Sequence, residues 1–185
     1  MAKVQINVSQ QLKASIGEDR LYEIDGTVDI DSTNINVRGD VRLMRTDRGI
    51  LVKGIIYSGI ELTCGRCLNE FNHNLNLNIE EEYFPVTDVN TGAPVSLPEE
   101  PDSFTIDDNN VLDLTDAVCQ YALMAIPIKP LCQQNCAGLC PTCGTNLNKV
   151  QCECPSAAGD PRWDGLRNMV LTDSNNVIKE KKGSR

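Results

Sequence analysis

The sequence predicts an α+β fold, in which an antiparallel β-sheet or small barrel is covered by one or two helices and followed by a C-terminal cysteine-rich zinc-knuckle appendage. Three observations predict this class. Apolar and polar residues alternate loosely through residues 35–79, one helix-like apolar pattern follows, and six of the nine cysteines fall within residues 132–154. A chain of 185 residues is long enough for one substantial core with a small appendage.

The first predicted element is a β-hairpin. Residues 35–46 alternate, Asp47-Arg48-Gly49 is a turn signal, and residues 50–57 form the second apolar run. A further strand is predicted over residues 71–79, where apolar and polar residues alternate with period two. Cys64-Gly65-Arg66-Cys67 therefore lies in the turn between two antiparallel strands, where a hairpin tip presents both thiols.

A single helix is predicted after an exposed, mobile loop near residues 85–110, which is rich in Pro, Asp, Asn and Glu. Asp113 offers an N-cap, apolar residues then recur at helical spacing to residue 125, and Pro127 ends the helix. Its apolar stripe is expected to pack on the sheet. Cys119 lies inside this helix and is predicted to be a small buried residue without a chemical role.

The cysteines predict a bound metal ion. A CxxC turn directs both sulfurs to one point, and in Cys140-Pro-Thr-Cys143-Gly144 the proline fixes one dihedral angle while the glycine permits left-handed geometry. Thiolate ligands and the lack of competing histidines favour zinc, and one zinc ion per chain is expected. The predicted metal ligands are Cys140, Cys143, Cys152, Cys154, Cys132 and Cys136.

The sequence leaves open which pair completes a Cys₄ site with Cys140 and Cys143. Cys152 and Cys154 are preferred because the short connecting loop closes at little entropic cost. Cys132 with Cys136 is the next alternative, and Cys64 with Cys67 form a possible second thiol pair. If all eight thiols took part, the chain would hold two sites.

Three segments are predicted: a sheet-plus-helix body over residues 1–130, a metal-binding segment over 131–160, and a short amphipathic segment with a disordered tail over 161–185. The N-terminus lacks the apolar core of a signal peptide, and no apolar stretch is long enough to span a membrane. We therefore expect a soluble protein in a reducing compartment, where the thiols are metal ligands instead of disulfides.

The charge is divided unevenly along the chain. Residues 1–130 carry 10 Lys/Arg and 21 Asp/Glu, a net charge of −11, and residues 131–185 carry 7 and 5, a net of +2. Such an acidic body repels phosphate and makes broad nucleic-acid binding unfavourable. Any RNA contact must then be local, and the candidate residues are Arg38, Arg42, Arg45 and Arg48.

Several motifs in a fixed order resemble the YceD family of large-subunit ribosomal RNA accumulation proteins. They are VKGIIYSGIELTCGRCLNEF, a strand ending in EEEYFP, VLDLTDAVCQYALMAIPIKPLC, NCAGLCPTCGTNLN, CEC and DPRW, and together they cover roughly residues 35–170. The resemblance implies a non-enzymatic bacterial or plastid factor that is needed for normal levels of large-subunit ribosomal RNA. It also implies a role in ribosome assembly, in the cytoplasm or, in a plant, the plastid stroma.

The expected function is therefore ribosome assembly through binding of a ribosomal protein or large-subunit ribosomal RNA, without a membrane or small-molecule substrate. The acidic body favours a basic ribosomal protein as the direct partner. The alternative is a zinc-stabilised adaptor in transcription or another protein machine. An enzyme is not expected, because catalytic zinc needs an open position and a nearby acid or base. A thioredoxin-like CxxC opens a helix, whereas Cys64 and Cys67 join two strands.

Overall fold

The computed structural model describes residues 4–30, 33–97 and 103–154, and within them the chain is mostly strand. The strands form a curled open sheet, a half-barrel, accompanied by two helices. The elements in chain order are β1 (Gln5–Asn7), α1 (Ser9–Leu12), β2 (Asp19–Ile30), β3 (Thr33–Arg45), β4 (Ile50–Thr63), β5 (Glu70–Pro85), β6 (Phe104–Ile106), β7 (Val111–Asp113) and α2 (Thr115–Ala125). None of the helices in these ranges is long and apolar enough to cross a membrane.

The seven strands lie in the order β1-β7-β6-β5-β4-β3-β2. Neighbouring strands are antiparallel except for β5 and β6, which run parallel. The predicted antiparallel sheet is therefore confirmed for its central strands. The parallel pair of β5 and β6 was not predicted. In this pair, Phe104–Ile106 runs in the same direction as Tyr83–Pro85 at the end of β5, with Phe104 opposite Tyr83.

The predicted central hairpins are present. β3 and β4 pair from Arg45 opposite Ile50, around the predicted turn, where the Thr46 N–H donates to the Gly49 carbonyl oxygen. β4 and β5 pair up to Thr63 opposite Glu70, so the first CxxC does lie in the turn between two antiparallel strands.

The N-terminal elements were not predicted from the sequence. β2 is a strand of 12 residues at one edge of the sheet, and β1 with the short helix α1 precedes it. A signal for β2 exists, since Ile24, Val28 and Ile30 are buried at alternate positions. Gly26 interrupts the apolar row at the position between Ile24 and Val28, which is why the alternation is difficult to recognise.

Glycines allow the sheet to curl. A Cβ at Gly39 of β3 would collide with the backbone carbonyl of Ile55, and one at Gly54 of β4 would collide with that of Asp40. Glycine at such positions is typical of sharply bent strands. The curl brings the segment before β1 close to β2 at the opposite edge, because a Cβ at Gly26 would lie 3.1 Å from Val4 Cγ2.

The helix α2 contacts β5 and β2, and its buried residues Ala117, Val118 and Ala122 belong to the apolar core. It begins one residue later than predicted, because Asp113 ends β7 in register with Gln5 of β1. The Asp113 carboxylate still accepts a hydrogen bond from the Thr115 N–H at the first turn.

The range predicted as a mobile loop, residues 85–110, contains the strand β6. Phe104 at its start stacks on Tyr83 of β5, with ring centroids 5.2 Å apart. Asp88 organises a tight turn, since its carboxylate accepts hydrogen bonds from the backbone N–H groups of Asn90 and Thr91. These contacts explain how a segment without periodicity acquires local structure.

The chain divides into two compact units, 1–137 and 138–185. The first unit contains the sheet and both helices. Of the second unit, residues 138–154 are described, and they contain an isolated bridge between Leu139 and Asn146. The predicted amphipathic segment and tail, from residue 161 onward, lie outside the described residues.

Candidate metal centres

The first set of thiols combines the β4–β5 turn with the segment after α2. The Sγ atoms of Cys64, Cys67, Cys132 and Cys136 all lie within 4.8 Å of one another. Cys64 and Cys136 are 3.8 Å apart and Cys67 and Cys132 are 3.6 Å apart, measured between sulfurs. Four sulfurs placed tetrahedrally at about 2.3 Å from zinc would be separated by about 3.8 Å. The spacing therefore fits a tetrahedral thiolate site.

Backbone contacts hold the two contributing segments together. The Gly65 N–H donates to the Pro130 carbonyl oxygen at 2.8 Å, and the Arg66 guanidinium donates to the Cys136 carbonyl oxygen at 2.9 Å. Cys64, Cys67 and Cys136 are buried, while Cys132 is half-buried. A metal ion here would be shielded from solvent, as is typical of closed structural sites.

The second set lies wholly within the second unit. The Sγ atoms of Cys140, Cys143, Cys152 and Cys154 also lie within 4.8 Å of one another. Here Cys140 is buried, Cys152 and Cys154 are half-buried, and Cys143 is exposed. This second set is therefore the more accessible of the two to solvent and to competing chelators.

Both CxxC turns have the same backbone hydrogen bonds. In the first, Cys64 N–H donates to the Asn69 carbonyl and Leu68 N–H donates to the Cys64 carbonyl. In the second, Cys140 and Gly144 play the corresponding roles, with the Thr145 carbonyl as the acceptor. The fifth residue of each turn has a left-handed backbone, with φ of 57° at Leu68 and 72° at Gly144.

The surroundings of the thiols favour a thiolate in each set, because hydrogen bonds lower the pKa of Cys64 in the first and of Cys140 and Cys143 in the second. Backbone N–H groups, first that of Cys132, lower the pKa of Cys64 to about 6. The hydroxyl and N–H of Thr145 do the same for Cys143, whose pKa is also lowered to about 6.

Each set also contains a sulfur whose pKa is raised, so that it holds its proton more tightly. Burial raises the pKa of Cys132 to about 12, and hydrogen bonding with Cys143 followed by burial raises that of Cys154 to about 12. Four thiolates this close repel one another, so a cation is needed to displace the remaining protons. Both sets therefore have the donors and spacing that a zinc ion requires.

The structure brings the predicted cysteines together in two groups. The preferred combination of Cys152 and Cys154 with Cys140 and Cys143 is the one found in the second set. Cys132 and Cys136, the second alternative, lie instead with Cys64 and Cys67. This pairing had a signal in the sequence, since a CxxC at a hairpin tip and a C-x₃-C pair were each without partners. The ninth cysteine, Cys119, belongs to neither set, and its thiol donates to the Asp29 carbonyl oxygen at 3.4 Å.

The four candidate RNA-contacting arginines do not share one surface. Arg38 and Arg42 lie on the exposed side of β3 and pair with Asp25 at 3.4 Å and Asp19 at 3.1 Å. Arg45 donates to the carbonyl oxygens of Leu12, Thr46 and Gly49, and therefore ties the turn to α1. Arg48 pairs with Glu82 and lies over the Phe84 ring, 5.4 Å from its centroid.

The fold and the site define a mostly-strand half-barrel protein with two sets of four close thiols, and comparison with known sequences identifies the family. The family model described as "Large ribosomal RNA subunit accumulation protein YceD" matches residues 52–170. The chain belongs to the YceD family.

Curated relatives include bacterial and plant proteins. An uncharacterised protein of Mycobacterium leprae is 26% identical over 135 residues, which is 72% of this chain and 59% of the relative. One from Mycobacterium tuberculosis is 27% identical over 142 residues, 77% of this chain and 66% of the relative.

The Arabidopsis thaliana "Large ribosomal RNA subunit accumulation protein YCED homolog 1, chloroplastic" is 26% identical over 160 residues, 75% of this chain and 49% of that protein. The chain thus spans less than two thirds of these mycobacterial relatives and about half of the plant one. No solved structure matches the chain.

Proposed function

We propose that the protein is a non-enzymatic factor for the accumulation of large-subunit ribosomal RNA, and that it acts in ribosome assembly by holding a basic ribosomal protein. The family and the name of the Arabidopsis relative support the process. The observation that carries the choice of partner is the net charge of −11 on residues 1–130. Such a field attracts a basic protein and opposes the phosphate backbone. The site of action would be the bacterial cytoplasm or, in plants, the plastid stroma.

The acidic charge includes one unfavourable contact that a basic partner would relieve. Glu23 of β2 and Asp40 of β3 are directly opposite in the sheet register, and both are exposed. Like charges at directly opposed positions destabilise a sheet. A lysine or arginine side chain inserted between these two carboxylates would neutralise them, so the β2–β3 surface supports binding of a basic protein.

Zinc is the proposed occupant of both thiol sets. The thiolate donors of both sets support zinc over hard cations, which prefer oxygen ligands, and the sulfur distances of the first set fit a tetrahedral site. Each set provides four protein ligands, so a bound ion has no open position for a substrate or an activated water. Zinc would therefore stabilise the fold of each unit without a catalytic role.

Affinity capture from a native lysate, with and without nuclease, tests the proposed partner. We expect a basic ribosomal protein to be recovered in both conditions. The double substitution Glu23→Gln with Asp40→Asn should reduce that recovery, whereas Glu61→Gln, an exposed carboxylate of β4, is the matched control and should not.

Recovery of RNA without a ribosomal protein would contradict the proposed partner. If only ribosomal RNA fragments are recovered, and they are lost when Arg38, Arg42, Arg45 and Arg48 become alanine, the protein is a direct RNA binder and the proposed partner is wrong.

A further inference from the structure

The exposed side of β5 carries an unusual row of amides. Four alternate residues are asparagine, and all four are exposed: Asn72, Asn74, Asn76 and Asn78. Asparagine is depleted in strands because it fits a pleated surface poorly, so four in one row are unusual. Each side-chain amide provides both donors and an acceptor. The row is thus a hydrogen-bonding surface without net charge.

A shallow depression of about 430 Å³ lies beside this row. That volume falls in the range of about 300–1,000 Å³ that is usual for small-ligand sites. Gly59 of β4 opens it, because this exposed position has no side chain and the next side-chain atom, Asn72 Oδ1, would lie 3.2 Å from a Cβ there. The lining residues are Asn36, Arg38, Tyr57, Ser58, Gly59, Asn74, Leu75 and Asn76. We call this depression the amide niche.

The side chains that line the amide niche suit a nucleobase better than a basic peptide. Tyr57 is 54% exposed, and it lies directly opposite Arg38 on one side and Asn76 on the other. An aromatic face, a guanidinium and three asparagine amides surround the depression, and no carboxylate lines it. A basic peptide would require carboxylates. An unpaired nucleobase requires an aromatic surface for stacking and amides for its edges, and its phosphate requires a cation.

We propose that the amide niche binds one unpaired nucleobase of single-stranded RNA, with Tyr57 stacking on the base, Asn74 and Asn76 bonding its edge and Arg38 meeting the adjacent phosphate. The proposal rests on the proposed function in ribosome assembly only in taking RNA as the source of the nucleotide. It replaces the four-arginine contact expected from the sequence by a contact in which a single arginine takes part.

The surrounding charge determines how such binding would behave. Arg38 is the only cation that lines the niche, and it also pairs with the exposed Asp25 at 3.4 Å. At most one phosphate is therefore neutralised, and the affinity should fall only weakly with salt, with a log–log slope no steeper than about −0.7. Duplex RNA does not present free base faces and should not compete. The contact is expected to be weak and selective for single strands.

Fluorescence anisotropy with the full-length, zinc-loaded protein and a short labelled single-stranded RNA of mixed sequence tests the proposal. We expect measurable binding that Tyr57→Ala weakens about tenfold and that Tyr57→Phe retains, because stacking uses the ring and not the hydroxyl. Gly59→Thr, which fills the floor of the niche, should also weaken binding. Arg38→Gln should weaken it and flatten the salt dependence.

Arg42→Gln is the matched control, since Arg42 lies on the same face of β3 but outside the niche, and it should bind as the wild type does. Circular dichroism and zinc content show whether each variant is folded. Equal loss with Arg42→Gln, or no effect of Tyr57→Ala, would overturn the proposal. Binding of a mononucleotide as tight as that of the oligonucleotide would identify free nucleotides as the ligand instead.

The alternative ligand for the amide niche is a protein. If the RNA does not bind and Tyr57→Ala instead reduces nuclease-resistant recovery of a ribosomal protein, the niche is a protein contact and the RNA proposal is wrong. Because the anisotropy experiment contains no ribosomal protein, its failure is distinguishable from failure of the proposed function, which the lysate capture tests.

Discussion

Leu68 occupies a backbone conformation that its side chain does not favour. The corresponding residue of the other CxxC turn is Gly144, and both have a left-handed backbone. This conformation costs a residue with a branched or long side chain roughly 1–2 kcal/mol, and glycine or asparagine much less. The Leu68 side chain is 64% exposed, so burial of its own surface returns little of that cost.

Leu68→Asn should therefore stabilise the protein by about 1 kcal/mol in its free energy of unfolding. Equilibrium denaturation of the zinc-loaded protein measures this. The reciprocal change, Gly144→Ala, should weaken zinc retention by the second set, which competition with a chromogenic chelator would detect. If Leu68→Asn destabilises the protein instead, the leucine side chain makes an intramolecular contact that its exposure does not reveal.

At the level of elements, the strongly periodic strands and the helix could be predicted, whereas the N-terminal strands could not. β4 and β5 are long and have clear alternation, and the turn at Asp47-Arg48-Gly49 has typical hairpin chemistry. β1, β6 and β7 each have three residues, too few for a period to emerge. Their position is set by pairing with distant strands, and the local sequence does not indicate which strands pair.

The metal ligands could likewise be assigned from the sequence only where they are close together along the chain. The second set could be predicted because its four cysteines are close in sequence and a short loop joins them. The first set remained one of several alternatives, because Cys64 and Cys136 are 72 residues apart and meet only after β4, β5 and α2 are assembled. Spacing rules describe local turns, and a site built from two distant turns depends on the tertiary fold.

The inward glycines of the sheet should be intolerant of a side chain. Gly39→Ala places a methyl group against the backbone carbonyl of Ile55, which cannot move without breaking the β3–β4 pairing. We expect a loss of about 1–3 kcal/mol in the free energy of unfolding, the usual cost of overpacking. Gly59→Ala is the control, because that methyl would face only the mobile amide of Asn72. Equal effects of the two substitutions would show that the curl does not depend on Gly39.

Metal analysis should find two zinc ions per chain in protein purified without chelator, one for each thiol set, instead of the single ion expected from the sequence. Cys64→Ser and Cys140→Ser should each remove one. Because Cys64 is fully buried and its sulfur lies 3.8 Å from that of Cys136, its substitution should also lower the stability of the sheet unit. A wild-type protein with a single zinc ion, or none, would contradict this assignment.

For the whole molecule, the assembly role predicts a phenotype. Cells depleted of the protein should show fewer large ribosomal subunits in sucrose-gradient sedimentation, and small subunits should accumulate in relative excess. Re-expression of the wild-type chain should restore the profile, while the double variant Glu23→Gln with Asp40→Asn should restore it less well. An unchanged profile after depletion would favour the alternative of an adaptor for another protein machine.

The uneven distribution of charge along the chain also suits the proposed role in assembly. The acidic first unit and the net positive C-terminal residues 131–185 give the chain opposite electrostatic preferences at its two ends. In the proposed function, a basic ribosomal protein is attracted to the acidic first unit. The RNA-binding surface of that ribosomal protein is then shielded until it is delivered.

The different sequence separations of the two thiol sets have a consequence for the order of folding. The second set closes within residues 140–154, a loop so short that its entropy cost is small and zinc can enter as soon as those residues are available. The first set joins thiols 65 and 72 residues apart and must wait for non-local strand pairing, which is slow. Refolding with zinc present should therefore show a fast uptake phase that does not depend on the sheet, followed by a slower phase that reports its completion.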